Sequence, residues 1–278
     1  MNGDLSKLGS YPAPIRMGLF VVMLLLSWLP FAIPIYGWGG DRPWVDIVAP
    51  VILYGEFLVL IHWWGRSIYQ QPHIFQHYGY SLSRSNAMDL LKGLGVGILG
   101  IFFLFCLLAF LGGVNWQFPE AKFLRIFAEG LLVALAVGLA EELLFRGWLL
   151  DELERDYSDR IALLVSSFLF ALLHFVKPLP EILRTSPQFM GLWILGLILV
   201  WAKRSTQGRL GLSIGIHAGL VWGYYLVNVG QLVQYSGRLP EWVTGIHKNP
   251  LAGLVGIFCL GLIAFWTHHG AHQQPKGL

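Results

Sequence analysis

The chain reads as an all-α protein, a polytopic bundle of about eight transmembrane helices, and three observations predict this. Of its 278 residues 55% are hydrophobic and only 13% charged, whereas a soluble domain carries roughly a quarter charged residues. Mean hydropathy is +0.60. The apolar residues fall into eight runs with short polar connections, which leaves no stretch for a soluble domain. The formal charge of +3 is small and its basic residues cluster in loops. That distribution suits a lipid bilayer with anionic headgroups and gives no case for nucleic acid.

In order, the first run spans 17–36 and contains Pro30 and Pro34, so a kinked span is expected. It is too long for the core of a signal peptide and lacks a small-residue cleavage site, so it is expected to be retained. The second run, 45–63, carries Glu56, an intramembrane acid for which the sequence names no partner. The third covers 87–111 and the fourth 123–150. The fifth and sixth, 161–176 and 189–202, are short for a span of about 20 residues. The seventh, 210–229, and eighth, 251–266, complete the bundle. Trp63, Trp64, Trp201 and Trp266 lie at run ends, where interfacial tryptophans are expected. Cys106 and Cys259 both sit in apolar runs and read as small hydrophobes.

Three parts are expected: N-terminal helices over 1–122, a core over 123–230, and an outer loop with the last helix over 231–278. With the N-terminus inside, twelve basic residues from Lys7 to Lys276 collect on the cytoplasmic side against seven outside. Both termini are therefore expected in the cytoplasm.

The fourth run breaks its own apolar character with Glu141, Glu142 and Arg146. A charge near the bilayer centre costs about 2.5–3.5 kcal/mol on insertion scales, so three need partners or a function. Glu142 and Arg146 are four apart on one helix face and suit a local ion pair, a clamp more than a reacting pair. Glu141 points about 100° away and is left free for a neighbouring helix. On the fifth run Phe170 and His174 share a face. Glu141 and His174 are equidistant from the polar turn at Tyr157 and Ser158, so an antiparallel hairpin sets them at one depth. On the seventh run Gly211, Gly215, Gly219 and Gly223 form a strip for close helix packing. His217 projects from roughly the opposite face, with Ser213, Val221 and Tyr224 on its side, at about the depth of Glu141.

One carboxylate and two imidazoles can hold a water and remove its proton, which points to hydrolysis without a covalent intermediate. Glu141, His174 and His217 are also a donor set that a divalent metal such as zinc accepts, although the H-E-x-x-H pattern is absent. The remaining histidines lie at run ends or in loops and read as solvated surface.

The ordered set Glu141-Glu142-x-x-x-Arg146, then Phe170-x-x-x-His174, then His217 resembles the CPBP family of intramembrane proteases. That family comprises the type II CAAX prenyl endopeptidases and bacterial Abi-related proteins linked to bacteriocin processing or self-immunity. The resemblance implies an endopeptidase acting on a membrane-associated peptide or protein. Glu141 and His174 would activate the water, His217 would bind or polarise the carbonyl, and Glu142, Arg146 and Phe170 would support them. Family members often carry a polar residue four positions after the last histidine, where this chain has Val221. A non-catalytic scaffold or immunity-type protein on the same fold is the alternative that Val221 favours.

Overall fold

The computed structural model describes residues 5–119 and 122–273. Lys276, one of the residues behind the expected orientation, lies outside the described residues. Eight long helices follow the eight apolar runs: α1 Ala13–Gly39, α2 Val45–Ser67, α3 Arg84–Phe110, α4 Phe123–Glu154, α5 Asp159–Leu173, α6 Leu179–Ser205, α7 Gly211–Asn228 and α8 Leu254–Gln273. Among the described residues six helices are long and apolar enough to cross a membrane; α5 and α7 are the exceptions. Large apolar side chains point outward, among them Val59, Leu99 and Leu132 at 71%, 68% and 70% exposure. That is the surface of a protein dissolved in lipid, and the chain is an integral membrane protein.

The centre of the bundle is α7, buried without a break from Gly211 to Gly219. A helix sheathed by other helices has no lipid face, which explains why it does not need the hydropathy of a span. Its glycine strip meets α3 at Gly93 and Gly97. A Cβ on Gly215 would stand 2.2 Å from the Leu90 carbonyl oxygen, and one on Gly219 2.5 Å from that of Leu94. The backbones therefore touch, and only glycine fits. Asn86 of α3 completes the joint, its Oδ1 accepting the Gly211 N–H at 2.7 Å. One of the free donors at the start of α7 is thus satisfied from a neighbouring helix.

A second anchor joins α1 to the end of α4. Arg16, one residue ahead of the first apolar run, is buried, and its Nε donates to Glu152 Oε2 at 2.9 Å. Its Nη1 donates to Asp156 Oδ1 at 3.1 Å, and the Tyr69 hydroxyl donates to Glu152 Oε1 at 2.6 Å.

Other expectations change on contact with the structure. Trp64 is a core residue at 1% exposure, packed edge-on against Phe20, while Trp63 stays exposed. Sequence position at a run end cannot tell which side of the helix turns inward. Glu56 gains a partner in Ser27 of α1, whose hydroxyl donates to it at 2.9 Å. One two-stranded antiparallel sheet departs from the all-helical expectation, with β1 Val114–Trp116 pairing β2 Val233–Tyr235. Three residues per strand leave no periodicity to read. The α1 helix is continuous through Pro30 and Pro34.

Candidate active site

The site is built where α4 changes its winding. After Glu142 the helix runs as a π-helix over Leu143–Leu149, a local widening that frees backbone groups and recurs at functional sites. Here the Arg146 carbonyl, inside the widened turn, accepts from the buried Lys203 Nζ of α6 at 2.7 Å. The side chain of Arg146 points into the bundle and donates from Nη1 to Glu142 Oε1 at 3.0 Å. Its Nη2 donates to the Gly196 carbonyl of α6 at 3.2 Å. The guanidinium carbon lies 4.2 Å from the Phe170 ring centre, a cation–π contact strengthened by the absence of solvent. Glu142 and Arg146 are both 0% exposed, so the ion pair read from their spacing exists and is fully enclosed.

Glu142 also has a partner that its own helix does not supply. The same Oε1 lies 2.9 Å from His217 Nδ1 of α7. Against a carboxylate that nitrogen is the donor, which leaves Nε2 facing away from Glu142. His174, at the C-terminal end of α5, places Nδ1 2.7 Å from the Phe170 carbonyl oxygen. A carbonyl only accepts, so Nδ1 carries the proton and the Nε2 lone pair of the neutral ring is free. Phe170 buttresses both rings edge to face, with centroid distances of 4.7 Å to His174 and 5.9 Å to His217.

Both Nε2 atoms face one oxygen. Glu141 Oε2 lies 3.8 Å from His174 Nε2 and 3.9 Å from His217 Nε2. It is buried and makes no hydrogen bond among the described residues, although the Glu141 side chain as a whole is 31% exposed. These gaps are too long for direct hydrogen bonds. A water about 2.8 Å from each of two such atoms bridges them at an angle of about 85–90°. A tetrahedral zinc, holding ligands at about 2.0–2.2 Å, sets them about 3.4 Å apart. Among the described residues no group of three or more His, Cys, Asp or Glu is arranged to hold a metal ion. The spacing of Glu141, His174 and His217 matches a bound water, and the same three side chains would hold a metal after closing by about half an ångström.

The structure brings together Glu141, Glu142, Arg146, Phe170, His174 and His217, every residue singled out for the site. It does not bring Ser213 or Tyr224, which bond to the Leu210 and Lys248 carbonyls instead. Val221 lines an apolar cavity of about 130 Å³ together with Ile101, Leu104, Leu195 and Leu260. Lys203, Gly196 and the link from Glu142 to His217 were not read from the sequence. Lys203 alone left a signal there, as a charge at the very end of an apolar run.

Within this membrane bundle a buried acid and two imidazoles converge on one point, and the segment that carries them is similar to a family of membrane endopeptidases. Residues 123–223 match the family described as type II CAAX prenyl endopeptidase Rce1-like. The matched segment takes in α4, α5, α6 and most of α7, and so every residue of the site. An uncharacterized protein of Bacillus subtilis (strain 168), YyaK, is 25% identical over 167 residues, which are 58% of this chain and 54% of that protein. The chain thus aligns with about half the length of this curated relative. No solved structure matches it.

Proposed function

We propose that the chain is an intramembrane endopeptidase that hydrolyses a peptide bond in a membrane-associated polypeptide. One observation carries the reading: two imidazole Nε2 atoms, each with its Nδ1 committed to another acceptor, face the same Glu141 oxygen at 3.8 and 3.9 Å. In this reading a water held between Glu141 and His174 gives its proton to the Glu141 carboxylate as its oxygen attacks the scissile carbonyl. His217 polarises that carbonyl from Nε2 when protonated, and Glu142, on Nδ1, offsets the positive charge the ring then carries. When the C–N bond breaks, Glu141 returns the proton to the leaving amine. Arg146 and Phe170 hold Glu142 and the two rings in place. The functional core is residues 123–230, and both termini face the cytoplasm, as the twelve-to-seven bias of basic residues favours.

The test compares the membrane peptides of cells carrying wild type, Glu141→Gln and His174→Ala. Both variants are expected to accumulate in the membrane and to lose cleavage. Undiminished cleavage in either overturns the assignment. The non-catalytic scaffold has one observation in its favour, the apolar lining at Val221. It predicts that a Glu141→Gln protein still complements a deletion strain.

A further inference from the structure

We infer that His268 and His272, at the C-terminal end of α8, form a binding site for a divalent transition metal, separate from the proposed catalytic centre. The two residues stand four apart on one helix face and both are exposed. Their Nε2 atoms stand 3.0 Å apart and share an imidazole N–H···N hydrogen bond, which a metal bound between them would replace. Two ligand nitrogens about 2.1 Å from a metal and at right angles across it are about 3.0 Å apart, the spacing of neighbouring positions in square-planar or octahedral coordination. The two nitrogens already stand at that right-angle spacing, whereas the Glu141 oxygen stands 3.8 and 3.9 Å from its two imidazoles.

The surroundings fix the rings and leave the remaining coordination positions open. The Trp201 ring packs edge to face on His268 at 4.9 Å between centroids, and the two imidazoles lie 4.3 Å apart at 65°. They border a recess of about 700 Å³ between α4, α5, α6 and α8 that also contains Glu154, Asp159, Arg160 and Arg204. Arg204 is engaged by Glu154 at 2.7 Å, and Lys203, also at the recess, by the Arg146 carbonyl. Three cations against two carboxylates give no electrostatic help to an incoming cation, so the two nitrogens must supply the affinity. A nitrogen-only pair selects by the Irving–Williams order, with copper(II) held most tightly, nickel(II) and zinc(II) less so, and magnesium not at all.

The experiment uses the full chain, purified without a polyhistidine tag and titrated with copper(II). Wild type is expected to bind one copper whose electron paramagnetic resonance spectrum shows coupling to two nitrogens. His268→Gln and His272→Gln, exposed substitutions checked by an unchanged gel-filtration profile, should each weaken binding at least about tenfold. The His269→Gln variant should bind like wild type, and so should His174→Gln, which separates this site from the Glu141 centre. The inference is overturned if the His268/His272 double variant binds copper as wild type does, or if wild type binds none. The outcome does not depend on whether the chain is a protease.

Discussion

Two buried polar clusters lie ten residues apart on α4, and they are built to opposite specifications. Around Glu152 every carboxylate oxygen is occupied, Oε2 by Arg16 and Oε1 by Tyr69, and Asp156 takes a second arm of the guanidinium. Burial and the Glu152 carboxylate hold the Tyr69 phenol well above its ordinary pKa, so it remains a donor. Around Glu142 the accounting stays open: Glu141 Oε2, Glu142 Oε2 and Arg146 Nε are buried without a hydrogen-bond partner among the described residues. Unsatisfied buried groups cost about 1–3 kcal/mol each, more when charged. The open cluster is the one to which the proposed function assigns chemistry, and the closed cluster joins α1 to the end of α4.

Substitutions can break this comparison. The largest effect is expected for Glu141→Gln, which should cut peptide cleavage by about 10²–10⁴-fold, the range of a general base, while leaving the melting temperature in detergent nearly unchanged. A large loss of thermal stability instead would make Glu141 a structural group like Glu152. Next, Arg146→Ala leaves Glu142 as an uncompensated buried charge and should cost about 3–5 kcal/mol of stability, with activity lost as well, since His217 loses its support. Arg16→Ala should cost stability on the same scale of about 3–5 kcal/mol, but the protein that remains folded should cleave at the wild-type rate. Activity per folded molecule, measured at low temperature, separates the two arginines. The smallest effect is expected for Tyr69→Phe, which removes one hydrogen bond to a charged group and should lower stability by about 1.5–3 kcal/mol. Its cleavage rate should not change; a fall would show that the α1 anchor reaches the site.

What could be read beforehand followed from regular geometry. Residues equidistant from the turn at Tyr157 and Ser158 are expected to meet, and Glu141 does lie 3.8 Å from His174 even though Leu143–Leu149 between them is wound as a π-helix. The four-residue spacing gave the pair of Glu142 and Arg146, and the glycine strip on α7 foretold a close neighbour. Spacing arguments work along one helix and across one hairpin. They carry no information on contacts between distant segments, so the bond from Glu142 to His217, 75 residues apart, and that from Lys203 to Arg146, 57 apart, were not legible. Nor was the identity of α3 as the helix received by the strip, although Gly93 and Gly97 show the same spacing once it is known. The π-helical turn was hidden for another reason: in Leu143–Leu149 only Gly147 departs from ordinary helix composition, and one glycine does not mark an extra residue in a turn.

The glycine contact between α3 and α7 sets the angular phase of the proposed site. With backbone lying on backbone at Gly93, Gly97, Gly215 and Gly219, α7 cannot roll without driving a carbonyl into its neighbour. A side chain about 6 Å from the helix axis moves about 2 Å for a roll of 20°. Displacement of the His217 ring by even half that is enough to cost about a hundredfold in a positioned reaction. A face of the bundle that bears no reactive atom thus sets the aim of His217, and a single methyl group added at Gly215 is expected to misdirect the imidazole without touching it.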